Sequence, residues 1–468
     1  MNENKRLIKN TGIIAIGNIS TKLVSFLLLP LYTALLSTSE YGTYDYILSI
    51  ATFCVPFVSV LMDESIFRFL IDCTDEKKKK KIISTAWTIV IVGIMSFLIV
   101  GIPVMKVLHY RYTYYAVAYI LLNSICGMLS ALLRGVGRTD QYAVFNFLLG
   151  TIQIILNVIF IAVFKMGLKG MLWAAIVSQT MVAIIFSVRI HLWKYISIKQ
   201  MSKSMAKEMI TYSFPLIPNK ISWTIINLSD RIVLMNTLGS DSAGLYAISY
   251  KFPNLMDTIY GFFYQSWKES SARIIGSGED SRDKFYNSVY YYLKNFMYAI
   301  VLVMIAFMPL AFRLLINSNY YEALLYVPIL LIGTYFSNVS GFYGGIFTAY
   351  KDTKIMGTTT IVAAVINLTV NLTLISFIGI YAAAISTLVA NVVIYIYRKS
   401  KVKKYILLME TPKKSVLAIL ITAIILILFY SENIFCTIIA CILAIIYAWT
   451  TNQKIISSII LHLKNKGA

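Results

Sequence analysis

Apolar runs of about 20 residues follow one another along this 468-residue chain, separated by short charged or turn-forming breaks. Such a run, wound as an α-helix, crosses a hydrocarbon core of roughly 30 Å. Backbone groups inside lipid must be satisfied within the segment, so the runs are expected to be helices; the two-residue alternation of a barrel is absent. Only 13% of the residues are charged and 58% are hydrophobic, about half the charge of an average soluble domain. The expected fold class is an all-α integral membrane protein.

Reading runs between breaks gives about fourteen spans: 11–36, 42–71, 82–105, 112–133, 141–164, 170–188, 208–238, 243–272, 286–312, 323–350, 355–378, 380–397, 414–430 and 433–451. The opening MNENKRLIKN leads into an apolar stretch longer than a signal-peptide core, which reads as a retained first helix. Breaks such as Ser37–Tyr41 and Gly239–Ser242 are short, so neighbouring helices are expected to run antiparallel.

The formal net charge is +21. In a membrane protein Lys and Arg gather in cytoplasmic loops, and no nucleic-acid recognition motif accompanies the charge. With the N-terminus inside, the inner segments hold Lys5, Arg6, Lys77 to Lys81, Arg134, Arg138, Lys351, Lys354, Arg398, Lys399, Lys401, Lys404 and Lys414, among others. The outer breaks hold only Lys106, Arg111, Lys165, Lys169 and Arg313. Both ends of this multi-pass chain are therefore expected in the cytoplasm.

The chain also repeats. Glu40-Tyr41-Gly42-Thr43-Tyr44 returns as Ser242-Ala243-Gly244-Leu245-Tyr246, and Glu64 through Arg68 returns as Glu269 through Arg273. Gly137-Arg138-Thr139 resembles Lys351-Asp352-Thr353, and Gly170 with Ala174-Ala175 resembles Gly379 with Ala383-Ala384. Four matches in order indicate a parallel repeat about an axis along the membrane normal. The expected organisation is a six-helix lobe over 1–205, a second over 206–400, related by a pseudo-twofold, and a further helix pair over 401–468.

Several ionisable residues fall inside the spans. Lys22 lies about eleven residues into the first run, near mid-depth at ~1.5 Å per residue, and Lys220 is placed similarly in the seventh. Arg231, Lys251 and Lys294 fall in outer or inner portions of their runs. An unpaired cation at mid-helix costs roughly 2.5–3.5 kcal/mol even on gentle scales, so Lys22 and Lys220 are expected to face a hydrated cavity. Lys251 and Lys294 could instead snorkel to an interface. Arg231 has two readings, a ligand contact or a partner on another helix such as Asp257; adjacent Asp230 diverges around the helix. A cavity rich in cations suits an anionic cargo.

Glu64/Arg68 and Glu269/Arg273 each place opposite charges on one helical face. Helix-end stabilisation and an inner gate are both open for them. Asp63, with Asp230 and Asp257, is a candidate for binding a proton or cation. The tyrosines between Tyr286 and Tyr298 could stack on sugar rings or form an interfacial belt. No metal spacing, phosphate loop or catalytic constellation is present, and no cofactor or enzyme activity is expected.

The stretch from Asn10-Thr11-Gly12 to Leu29-Pro30-Leu31, followed by Ser39-Glu40-Tyr41-Gly42-Thr43-Tyr44, resembles bacterial polysaccharide-biosynthesis flippases. These are the Wzx-type transporters of O-antigen and capsule repeat units, teichuronic acid exporters included, of the multidrug/oligosaccharidyl-lipid/polysaccharide exporter superfamily. The resemblance implies alternating access and a cargo of undecaprenyl-pyrophosphate-linked oligosaccharide, flipped from the inner to the outer leaflet. It implies that Lys22, Lys220, Arg231 and Lys251 face the pyrophosphate or acidic sugars. Membrane lipid, a polysaccharide polymerase and glycosyltransferases would be partners, with no nucleic acid, and a proton or sodium gradient would drive transport. In related lipid II flippases the extra helix pair helps form a groove for the lipid tail, a place taken here by 414–430 and 433–451. The rival readings are a lipid II flippase and a multidrug/cation antiporter of the same superfamily.

Overall fold

A computed structural model describes residues 26, 28–71, 73–107, 111–197, 200–276, 278–352, 354–409 and 412–466. Its elements are helical throughout these residues. They are α1 (Leu29–Leu35), α2 (Thr38–Ser59), α3 (Met62–Ile71), α4 (Glu76–Val107), α5 (Thr113–Gly135), α6 (Thr139–Asn157), α7 (Gly167–Arg189), α8 (Lys203–Ser213) and α9 (Leu216–Thr237). There follow α10 (Ser240–Ser249), α11 (Lys251–Arg273), α12 (Glu279–Leu315), α13 (Val327–Ala349), α14 (Lys354–Ile378), α15 (Tyr381–Val402), α16 (Pro412–Tyr430) and α17 (Ile434–Lys466).

Among the described residues nine helices are long and apolar enough to cross a membrane, and ten if the bent α2–α3 pair is one crossing. That is fewer than the fourteen runs, for local reasons. The first run lies mostly outside the described residues, which retain only α1. The seventh divides into α8 and α9 at Phe214–Pro215, and α9 carries Lys220, Asp230 and Arg231. The eighth divides at Tyr250 into α10 and α11, ahead of Pro253. The thirteenth becomes a shorter apolar helix within α16. Outward faces carry large exposed apolar side chains, such as Ile91, Val92, Met95, Ile99 and Val100 along α4. This is the surface a helix presents to acyl chains rather than to water.

The chain forms two compact units, 1–235 with 239–244, and 236–238 with 245–468. The first unit thus takes in α8 and most of α9, which the repeat assigns to the second half. Its core gathers Met62, Ile66 and Leu70 of α3, Ile82, Ile83 and Trp87 of α4, Leu129 and Leu133 of α5, and Met209 of α8. Two buried serines in that core bond to backbone groups across it. Ser65 Oγ donates to the Met209 carbonyl at 2.9 Å, tying α3 to α8. Ser84 Oγ donates to the Tyr195 carbonyl and accepts from the Ser197 amide at 3.0 Å, anchoring the loop after α7. A capping box starts α2: Ser37 Oγ accepts from the Glu40 amide and Glu40 Oε2 accepts from the Ser37 amide. Glu40 Oε1 also accepts from the Leu168 amide, binding the start of α7.

The second unit centres on α13, whose buried face runs from Val327 to Phe347. Trp267 of α11 stacks on Phe342 with ring centroids 4.3 Å apart and donates Nε1 to the Phe342 carbonyl at 2.9 Å. Tyr286 and Tyr290 of α12 are 0% and 1% exposed, and Tyr290 pairs through its hydroxyl with Tyr343. These two tyrosines therefore belong to the core, not to an interfacial belt or a sugar platform. Asn338 and Asn367 are also buried in helices, so their sequons are inaccessible to glycosylation.

The sequence repeat extends to backbone detail at one turn. After α5, Gly137 adopts φ +76°, its amide donates to the Arg134 carbonyl and the Arg138 amide donates to Leu133. After α13, Lys351 adopts φ +59°, with the same bonds to Thr348 and from Asp352 to Phe347. Both are Schellman endings, in which a left-handed residue lets the chain satisfy the last carbonyls. The Gly170/Gly379 match is looser, since Gly170 lies inside α7 whereas Gly379 precedes α15 with φ +58°.

Candidate functional site

The second crossing is broken. Pro56 removes a backbone donor from α2, and Val60 and Leu61 follow with φ 51° and 49°. Two successive left-handed residues with side chains store local strain, and α2 and α3 meet at 54°. Gly93 of α4 packs so closely here that a Cβ would overlap the Val58 carbonyl oxygen. Asp63 sits in the first turn of α3, two residues beyond Leu61. Its Oδ1 is buried with no hydrogen-bond partner among the described residues, and Lys220 acts on it electrostatically. Discontinuous membrane helices are where transporters commonly hold ions and charged substrates.

The other expected residues are distributed as follows. Lys22 lies outside the described residues. Lys220 is exposed on α9. Arg231 donates Nε to Asp45 Oδ2 of α2 at 2.5 Å, with side chains 11% and 18% exposed, so a carboxylate within its own unit neutralises it. Lys251 opens α11 and is half-buried, Asp257 is exposed on the same helix, and Asp230 is 1% exposed on α9. Glu64 and Arg68 are both exposed on α3, where Arg68 lines a small cavity with Lys78 and Tyr212. Arg273 is exposed at the end of α11, and the Glu269 side chain lies outside the described residues.

The second unit holds a groove of about 480 Å³ between α12, α13, α15, α16 and α17. Tyr298, Tyr335, Phe336, Tyr395, Ile419 and Leu426 give it an apolar length. Among the described residues its charged lining residues are Lys294, Lys399 and Lys414. Tyr298 bonds to Ala418 and Thr422, while Lys294, one turn earlier, donates to Ser415 at 3.3 Å. The α12 and α16 chains thus run side by side in the same direction, with both lysines at one end. Lys414 donates to the Tyr291 hydroxyl at 2.8 Å, and Lys399 lies 5.6 Å from the Tyr395 ring centroid. Aromatic rings hold flexible ammonium groups at modest cost. Among the described residues no carboxylate lines the groove. A long apolar slot with cations at one end matches an amphiphile with an anionic head.

Lys294 was visible in the sequence as a charge inside a span. Lys399 and Lys414 were not singled out, because both sit in basic segments that topology alone accounts for.

The broken crossing and the lipid-facing helices define a multi-pass membrane protein. A multidrug resistance MATE family transporter of the MOP superfamily, captured inward-facing, shares its fold at TM-score 0.68 and 13% identity, over 83% of this chain and 98% of that one. The lipid II flippase MurJ, in an inward closed conformation, matches at TM-score 0.72 and 15% identity, over 96% of this chain and 99% of that one. A MOP superfamily transporter from Pyrococcus furiosus matches at TM-score 0.57 and 14% identity, over 85% and 95%. No curated protein matches in sequence. The family described as polysaccharide biosynthesis protein matches residues 7–267, and the chain belongs to it.

Proposed function

We propose that this chain flips an undecaprenyl-pyrophosphate-linked oligosaccharide from the cytoplasmic to the outer leaflet by alternating access. The groove of the second unit carries this reading. Its apolar walls suit a polyprenyl tail, and Lys294, Lys399 and Lys414 suit the adjoining phosphates. The family's association with polysaccharide biosynthesis supports a lipid-linked glycan as the cargo. Both termini lie in the cytoplasm, and the chain crosses the bilayer fourteen times as two six-helix lobes with an added helix pair. The positive-inside bias supports that topology.

Lys22, Lys220 and Lys251 act on the pyrophosphate or acidic sugars in this scheme, and Asp63 carries the coupling proton or sodium ion. Its buried, unpartnered oxygen beside a strained break supports the assignment. Deleting the gene should accumulate lipid-linked oligosaccharide on the cytoplasmic side, and Lys22→Ala or Lys220→Ala should abolish surface polysaccharide at unchanged protein abundance. Wild-type export in both variants removes those lysines from the mechanism. A second reading, lipid II as cargo, is supported by the match to MurJ over 96% of this chain. It predicts that lipid II, not an oligosaccharide intermediate, builds up on depletion.

A further inference from the structure

The basic end of α15 does not form one solvated patch. Arg398 turns into the core, 2% exposed, where its guanidinium donates to Thr359 Oγ1 at 3.1 Å and the Ser340 carbonyl at 3.3 Å. Lys399 turns into the groove. Lys401 and Lys404 turn elsewhere, joining Lys354 of α14 around a separate pocket of about 530 Å³ with Thr358 and Ser400.

We propose that this pocket binds the phosphodiester head group of an anionic phospholipid. Among the described residues three ammonium groups and three hydroxyls, those of Thr358, Tyr397 and Ser400, line it against one carboxylate, Asp352. That carboxylate accepts a hydrogen bond from the Tyr405 hydroxyl at 2.6 Å, a contact that raises the phenol above its ordinary pKa. Lys401 lies 5.4 Å from the Tyr397 ring centroid and Lys404 5.3 Å from that of Tyr405. These two cations are thus placed by rings. The net field favours an anion.

The helix above the pocket shows what the anion is attached to. Lys354 and Thr358 lie on the same face of α14 as Ile361, Val365, Leu368 and Leu372, at spacings of four, three, four, three and four residues. The last four are 55%, 61%, 38% and 54% exposed. From Lys354 to Val365 is about 16 Å along the helix, close to one leaflet of a core roughly 30 Å thick. A polar foot beneath an exposed apolar stripe of this height fits a phospholipid, head below and acyl chain above. A free phosphate would use only the foot. Basic pockets between membrane helices bind anionic head groups by the same physics. The site shares no residue with the groove, so it stands or falls apart from the transport reading.

The purified protein in neutral detergent is titrated with dioctanoyl phosphatidylglycerol, dioctanoyl phosphatidylcholine or inorganic phosphate. Thermal midpoint and native mass spectrometry are read for each. Phosphatidylglycerol should raise the midpoint and be retained as a bound adduct, while the other two should do neither at equal concentration. Lys354→Gln, Lys401→Gln and Lys404→Gln should each weaken apparent binding about fivefold, and the matching arginine variants should keep it. The three single variants remove exposed charges only and serve if a triple variant does not fold. Equal response to phosphatidylcholine, a full response to phosphate alone, or undiminished binding in all three glutamine variants would overturn the proposal.

Discussion

Gly42 and Gly244 meet backbone to backbone: a Cβ on Gly42 would overlap the Gly244 amide nitrogen, and one on Gly244 would overlap the Thr38 carbonyl oxygen. These are the two glycines that the sequence repeat sets in register, each near the start of its helix. Around them Thr38 Oγ1 donates to Asp241, and Ser39 and Ser240 pair through their hydroxyls at 2.5 Å. Small residues allow close approach of membrane helices, and polar side chains then bond across them.

Gly42→Ala and Gly244→Ala should each separate α2 from α10, because the atoms met are backbone and cannot swing aside. Thermal unfolding in detergent should show a loss of about 1–3 kcal/mol. A Ser39→Cys/Ser240→Cys pair, in a background without the native cysteines, should cross-link readily under mild oxidation, and a mass shift or altered gel mobility would report it.

The Arg231–Asp45 pair can be measured by a double-mutant cycle. Either single alanine variant removes one side of a largely buried ion pair and should cost about 3 kcal/mol. The double variant should cost less than the sum, with a coupling of about 1–2 kcal/mol. Additive losses would mean that the two charges act separately.

Lys399→Ala and Lys414→Ala should lower export of lipid-linked glycan severalfold while leaving protein abundance unchanged. Arginine at either position should retain more activity than alanine, since charge is kept. Surface polysaccharide on intact cells, normalised to membrane protein, gives the comparison.

Lys351 occupies a left-handed position that its counterpart fills with glycine. Lys351→Gly should therefore stabilise the protein by about 1 kcal/mol, removing a side-chain clash that glycine lacks. Gly137→Ala should destabilise it by a similar amount. Paired melting curves test both signs.

The helical map was legible because hydrophobic runs and basic breaks are written directly in residue type. The repeat was legible where backbone geometry demands particular residues, as at Gly137 and Lys351, and weaker at Gly170 and Gly379, where only composition agreed. The breaks within a run, at Pro215 and at Tyr250–Pro253, were not legible, since hydropathy registers apolarity but not the direction of the axis. Arg231 kept open a ligand role because nothing along the chain places Asp45 beside it. The groove was hidden for a similar reason: Lys399 and Lys414 look like any other cytoplasmic lysines until three further helices close around them.

The foot of α15 behaves like a cam. Each residue advances the helix by about 100°, and three neighbouring cations are aimed at three different targets by that rotation alone. Inserting one residue before Arg398 would turn every cation to its neighbour's bearing, driving one lysine into the interior and pulling the guanidinium out. Arginine in place of Lys399 or Lys401 should therefore be tolerated, whereas a change in length of a single residue should not.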